Sequence, residues 1–240
     1  MKPKILIFID WYKPGFKAGG PIRSISNLVD YFAQLLDIYI ITSDTDYLEK
    51  APYKTIKPNQ WNIVDGANVF YLSSEQTSYK FIKKLVVEIN PSVIYCNSLY
   101  SLYFSLIPIY IAKKNNIKSI LAVRGMLSEG SLGVKSFKKK VFLNTTKFIG
   151  LFKKCSFHAT NHDEHNDIQN TFGTATKITI AQNLPEKKEL PFVFKEKEIN
   201  SLKLVFVGRI APEKNTLFAL ECLKHVTKNI TFDIFGPIYS

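Results

Sequence analysis

The sequence predicts an α/β protein: a parallel, doubly wound sheet in a first domain, followed by the start of a second domain of the same kind. Three observations carry that expectation. Short apolar runs, each about a strand long, recur from residue 4 to residue 235. Stretches with apolar residues at helical spacing stand between them, and strands that alternate with helices assemble into a parallel sheet. One segment, residues 184–201, is rich in Pro, Glu and Lys with no clear period and reads as an inter-domain linker. The expected division is 1–183 for the first domain, 184–201 for the linker and 202–240 for the second domain.

Residues 4–9 form the first strand, with Asp10 at its carboxyl end. The loop that follows holds Gly15, Gly19 and Gly20, and Pro21 is a favoured first-turn residue for a helix. Ile22, Ile25, Leu28, Val29, Phe32 and Leu36 make that helix's buried stripe. A glycine-rich loop between strand and helix can bring backbone N–H groups against phosphate; a plain flexible loop is the alternative. The spacing is neither the dinucleotide fingerprint nor a Walker A loop, which argues against an oxidoreductase on a dinucleotide sheet.

Residues 38–42 are a strand, and 44–58 are polar and irregular. Runs 61–64 and 69–72 flank the turn signal Asp65-Gly66, and the four residues between them predict a loose hairpin or strand pair. Residues 79–89 form a helix with Ile82, Leu85, Val86 and Ile89 on one face, stopped by Asn90-Pro91. A strand at 93–96, an apolar helix at 99–114 kinked at Pro108, and a strand at 120–123 come next. Residues 133–154 are rich in Lys and aromatics and carry no acid. Within them, 135–154 reads either as a basic amphipathic helix on an anionic membrane surface or as a surface helix whose lysine stems cover the sheet. Strand 156–160 leads into Asn161-His-Asp-Glu164, a capping box with Asn161 at the N-cap and Glu164 at N3. His158, His162 and His165 are close in sequence, but a strand-to-helix break divides them and no Cys joins them, so no metal site is expected. Strand 178–181 ends near Asn183.

Ligands of doubly wound sheets bind at the carboxyl ends of the strands. Asp10, Asn97 and Arg124 fall at such ends and are the acceptor-side candidates. A guanidinium suits phosphate or carboxylate, although Arg124 can equally cap a loop.

The second domain opens on Leu-Val-Phe-Val-Gly-Arg-Ile-Ala-Pro-Glu-Lys-Asn-Thr. Residues 204–207 read as a short buried strand and Gly208 as the turn at its end. Arg209 and Lys214 lie in the turn, stiffened by Pro212, and Asn215 is a good N-cap. Ala219, Leu220, Leu223 and Val226 continue at helical spacing, and 231–235 is a last strand. Exposed N–H groups and two cations favour negative charge, so this is a candidate diphosphate site. An ordinary strand–helix turn with solvated charges is the alternative.

At 240 residues and 46% hydrophobic, the chain can build one large or two modest cores. The net charge of +12 points to an anionic partner; no recognition motif accompanies the charge, so nucleic acid is not expected. Three widely spaced cysteines suggest neither disulfides nor zinc and fit a reducing compartment. The first apolar run is too short for a signal peptide, and the longest, 99–112, is shorter than a membrane span. The expected location is the cytoplasm, with peripheral attachment to the inner face of the cell membrane as an alternative.

Gly208-Arg209…Lys214-Asn215 followed by Asp233-Ile-Phe-Gly-Pro237 resembles the donor-binding half of family 4 (group 1) GT-B glycosyltransferases. Gly19-Gly20-Pro21 matches that family's Gly-Gly pair, and Arg124-Gly125-Met126-Leu127 resembles a motif of one branch, with Val123 where that motif has Pro. The resemblance implies a GT-B architecture, with a Rossmann-like N-terminal sheet and an incomplete second Rossmann-like domain. It implies a hexosyltransferase-type reaction from a nucleotide-diphosphate sugar to the hydroxyl of a glycan or lipid-linked acceptor, in surface polysaccharide or glycolipid assembly. Arg209 and Lys214 then hold the departing diphosphate as catalytic residues, with Gly19, Gly20 and Gly208 completing the donor site. No metal or cofactor is implied beyond the nucleotide-sugar. The family's second domain runs further and carries a two-glutamate motif, so the expectation is a fragment, a truncated gene product, or half of a split enzyme completed by a partner chain; a non-catalytic acceptor-binding and membrane-docking module is the alternative function. Its second-domain piece should expose Leu217, Leu220 and Phe232.

Overall fold

The computed structural model describes residues 2–133, 136–187, 196, 199–208, 210, 214–226 and 229–236. The chain divides into two units, Met1–Lys188 and Glu189–Ser240. The first is built on β1 (Lys4–Phe8), β2 (Asp37–Ser43), β3 (Trp61–Val64), β4 (Ala67–Leu72), β5 (Val93–Cys96), β6 (Lys118–Ala122), β7 (Cys155–Ala159) and β8 (Ile178–Ile180). They form one sheet in the order β3-β4-β2-β1-β5-β6-β7-β8. Every pairing is parallel except that of β3 with β4. The helices are α1 (Gly20–Phe32), α2 (Tyr79–Ile89), α3 (Ile107–Lys114), the short α4 (Glu129–Gly133), α5 (Ser136–Phe148) and α6 (His162–Phe172). The α/β, doubly wound, Rossmann-like class expected of the sequence is the one observed. Strand order reverses between β1 and β5, and such a switch point opens a crevice at the strands' carboxyl ends.

Alternation along the strands builds two cores, because successive side chains point to opposite faces. Leu6 and Phe8 of β1 pack in one core with Ile82, Leu85 and Val86 of α2 and Ile109 of α3. Ile7 and Ile9 pack in the other with Ile22, Ile25 and Val29 of α1. Leu6, Ile7 and Phe8 are all 0% exposed, which is why this run is apolar without alternation. Each such side chain contributes about 1.5–3 kcal/mol by leaving water.

Two local expectations are corrected here. The 61–72 hairpin is tight: Val64 pairs with Ala67, so only Asp65 and Gly66 turn, with φ of 50° and 86°. Two left-handed residues match the twist of the flanking strands. Ala67 and Asn68 lack strand-like side chains, and cross-strand pairing recruits them. The single kinked helix expected over 99–114 is a π-helical turn, Leu102–Leu106, leading into α3. Leu106 N donates to Ser101 O at 3.0 Å, and the Ser101 hydroxyl accepts from Phe104 N at 3.2 Å. Pro108 has no amide and crowds the carbonyl of the preceding turn, which the wider π spacing accommodates.

In the second unit, β9 (Ser201–Val207) and β10 (Asn229–Phe235) pair in parallel and α7 (Thr216–Leu223) lies between them in sequence. The buried strand expected at 204–207 is not buried: Val205 is 60% exposed and Val207 79%. A parallel strand needs a neighbour on each edge and cover on both faces, and β9 has one strand partner among the described residues. Leu217 and Leu220 are exposed, whereas Phe232 is half-buried in mid-strand opposite Leu204. Asn215 precedes α7 in a left-handed conformation, and its side chain caps nothing. No helix among the described residues is long and apolar enough to cross a membrane.

Candidate functional site

The carboxyl ends of β1 and β5 border the switch point, and Asp10 and Asn97 follow them. Arg124 comes just after β6 and Asn183 after β8. Arg124 ties these ends together. Its Nε donates to Asn97 Oδ1 at 2.6 Å, Nη1 to Asn183 Oδ1 at 2.6 Å, and Nη2 to the Tyr95 hydroxyl at 3.0 Å. Tyr95 in turn lies 2.7 Å from His158 Nδ1, and His158 Nε2 lies 2.8 Å from the Ala181 carbonyl.

The direction of each bond follows from chemistry. The Ala181 carbonyl only accepts, so Nε2 carries the His158 proton. Nδ1 then accepts from the Tyr95 hydroxyl, whose oxygen accepts from Arg124. The chain is satisfied only with His158 neutral. Burial pushes His158 below its ordinary 6.5, helped by the Arg124 charge and opposed by the Ala181 carbonyl and Glu164. Burial raises Tyr95 to about 12, partly offset by Arg124.

The turn that aims Arg124 is held by a residue read differently from sequence. Arg124 and Gly125 both have positive φ, 52° and 70°. Such a conformation in Arg costs about 1–2 kcal/mol and persists only where the surroundings enforce it. Glu164 does so: Oε1 accepts from Gly125 N at 2.7 Å, while Oε2 accepts from Thr160 N at 2.6 Å and Thr160 Oγ1 at 2.8 Å. Asn161 caps α6 by accepting from Glu164 N at 2.8 Å. The reciprocal half of the expected capping box is absent, because the Glu164 carboxylate is committed to Thr160 and the Arg124–Gly125 turn.

Asp10 is lifted above the ordinary carboxylate value by burial, against hydrogen bonds from Ser101, its own backbone and Ser98. Asn97 is 2% exposed, and its Nδ2 has no partner among the described residues. A buried donor left unmade costs about 1–3 kcal/mol. Beyond the same end of β1, α1 begins with no side-chain cap and no acid in its first turn, which leaves its amides for an anion. A Cβ built on Gly19 or Gly20 would meet nothing within 4 Å.

The glycine loop is anchored. Phe16 N and Lys17 N donate to Asp46 Oδ2 at 3.0 and 3.3 Å, and the Tyr71 hydroxyl donates to the Lys13 carbonyl. A Cβ on Gly15 would overlap the Tyr53 hydroxyl and crowd the Asp46 carboxylate. Asp46 came from the stretch read as polar and irregular, and nothing local in the sequence separates it from its neighbours.

In the second unit, Gly208 N donates to the Phe235 carbonyl at 2.9 Å, and Lys214 is exposed just before α7. Arg209 and Pro212 lie outside the described residues, as does Pro237. Among the described residues no group of three or more His, Cys, Asp or Glu could hold a metal ion; His158 is occupied by Tyr95 and Ala181.

Neither the protein-family models nor the curated proteins contain a match to this chain. Among solved structures, an S. aureus MnaA–UDP co-structure is similar at 9% identity with a TM-score of 0.48. The match covers 100% of this chain, which spans 63% of the length of that one.

Proposed function

We propose that the chain binds a nucleoside-diphosphate sugar and acts as a family 4 GT-B glycosyltransferase, or part of one, moving the sugar to an acceptor hydroxyl. The observation that supports this reading most is the carboxyl edge of the sheet at the switch point: an uncapped helix start behind Gly19-Gly20, with Asp10, Asn97 and Arg124 on that edge. The amides at the start of α1 suit an anionic oxygen. By the sequence resemblance, Arg209 and Lys214 neutralise the diphosphate as the bond from the anomeric carbon to its oxygen breaks. Arg124 spends three of its five N–H donors on Asn97, Asn183 and Tyr95, leaving the others for sugar or acceptor oxygens. Asp10, made less acidic by burial, orients the acceptor hydroxyl and is suited to take its proton.

Calorimetric titration of the full chain with UDP, GDP and the matching monophosphates tests the reading. A diphosphate should bind more tightly than its monophosphate. Arg209→Ala and Lys214→Ala should each weaken it by about tenfold or more, the worth of a charge-assisted hydrogen bond. Failure of every nucleoside diphosphate to bind, or unchanged affinity in both variants, overturns the proposal. Acceptor-dependent release of the diphosphate separates transfer from binding alone.

A further inference from the structure

The helix α5 carries two apolar faces where a sheet-covering helix needs one. Inward, Leu143 is 8% exposed and joins the core, with Phe142 packed against it. Outward, Phe137 is 79% exposed, Val141 49% and Phe148 93%. At about 100° per residue these three fall within about 40° of one another, a single solvent-facing stripe. A helix that only covered a sheet would place polar residues there. From residue 130 to residue 162 the chain has seven Lys and no Asp or Glu.

The two flanks of the stripe differ. On one, helical spacing places Lys140 and Lys147, and Lys147 joins Lys153, Lys154 and Lys177 around an open cavity of about 700 Å³ with no carboxylate in its lining. On the other, a groove of about 380 Å³ separates α3 from α5, lined by Leu106, Ile107, Tyr110, Phe142, Ile149 and Leu151.

We propose that this face docks on an anionic lipid bilayer. Phe137, Val141 and Phe148 enter the headgroup layer, the lysines take lipid phosphates, and the groove receives an acyl chain. Charge decides among occupants. A second copy docking through this face would set lysines against lysines. A nucleic acid would use the lysines and leave the aromatic stripe in water. An anionic lipid surface satisfies both features at once. The inference lies within the first unit and does not depend on nucleotide binding.

Flotation of the full chain with vesicles tests it, using phosphatidylcholine alone and phosphatidylcholine mixed with phosphatidylglycerol. The chain should float with the mixed vesicles at low salt, stay behind with phosphatidylcholine alone, and lose binding as salt rises. Each lysine near the surface is worth about fivefold in partition, so Lys140→Ala with Lys147→Ala should weaken binding by about 25-fold. Phe148→Ser with Phe137→Ser should abolish flotation with an unchanged circular dichroism spectrum, because both side chains are exposed. No flotation with the mixed vesicles, equal flotation with both, or full binding by both double variants overturns the proposal. So does a concentration-dependent dimer that the phenylalanine variant abolishes while vesicles bind neither form.

Discussion

The strands β1 and β9 are written alike and end differently. Both end in an unbroken apolar run, residues 5–8 and 204–207, at the head of a strand–helix–strand unit. In β1, Leu6, Ile7 and Phe8 are wholly buried, between β2 and β5 and under helices on both faces. In β9, Val205 and Val207 are mostly exposed, with β10 the one strand partner among the described residues. An apolar run thus states that a strand needs covering. Neighbours from elsewhere in the chain determine whether it is covered.

The comparison can be broken most directly by truncating each strand. Leu6→Ala should cost about 2–5 kcal/mol, the loss of a packed side chain plus its cavity. Val205→Ala should cost less than about 1 kcal/mol, as for an exposed site. Urea denaturation reads both, and equal losses would refute the contrast. Hydrogen exchange sharpens it: amides of β1 and β5 should exchange only through global opening, while those of β9 and β10 exchange through cheaper openings.

The polar devices of the first unit come next in size. Glu164→Ala strips partners from the Gly125 and Thr160 amides and should cost about 3 kcal/mol. Glu164→Gln should recover part of that, because a carboxamide still has one accepting oxygen. Gly15→Ala should cost about 1–3 kcal/mol, since the new methyl overlaps Tyr53 and Asp46. Thermal or urea midpoints measure all three.

The smallest expected effect is a pH slope. His158 has a folded pKa below its ordinary 6.5, so the unfolded chain takes up the proton first. Stability is therefore full above 6.5 and declines as pH falls through the lowered value. Protonation also turns Nδ1 into a donor facing the Tyr95 hydroxyl. Denaturation midpoints recorded across this window should show the decline in the parent chain and lose that part of it in His158→Gln.

Much of the fold was legible in order. Among the described residues each strand overlaps an expected one, most legibly in β1, where burial on both faces demands almost wholly apolar residues. The α2 boundaries follow from Ser78, which accepts from Phe81 N, and from left-handed Asn90 ahead of Pro91. Burial in the second unit was misread, because the strand pattern is the same whether or not anything covers it. The tight Asp65-Gly66 turn was half-visible: its residues were the right ones, but its length depended on pairing that Ala67 and Asn68 do not advertise.

The candidate site was legible by position and not by connection. Asp10, Asn97 and Arg124 could be picked out because they follow strands. Nothing in the spacing links Arg124 to Tyr95, His158 and Asn183, which come from different strand ends. His158 stood out only as one of three nearby histidines. Glu164 matched a local capping motif that explains its backbone hydrogen bond to Asn161 and none of those its carboxylate makes, and Asp46 matched none.

By itself the sequence determined the order of the strands, most of the helices, and the basic, acid-free character of residues 130–162. Those properties are local: periodicity, cap residues and composition are all read within a few residues. Tertiary structure alone decided which apolar runs are buried, which carboxylate holds which turn, and that α5 turns Phe137 and Phe148 to solvent. Each of those depends on groups far apart in the chain. Whether a side chain is covered, paired or left in water is a property of its neighbours in space.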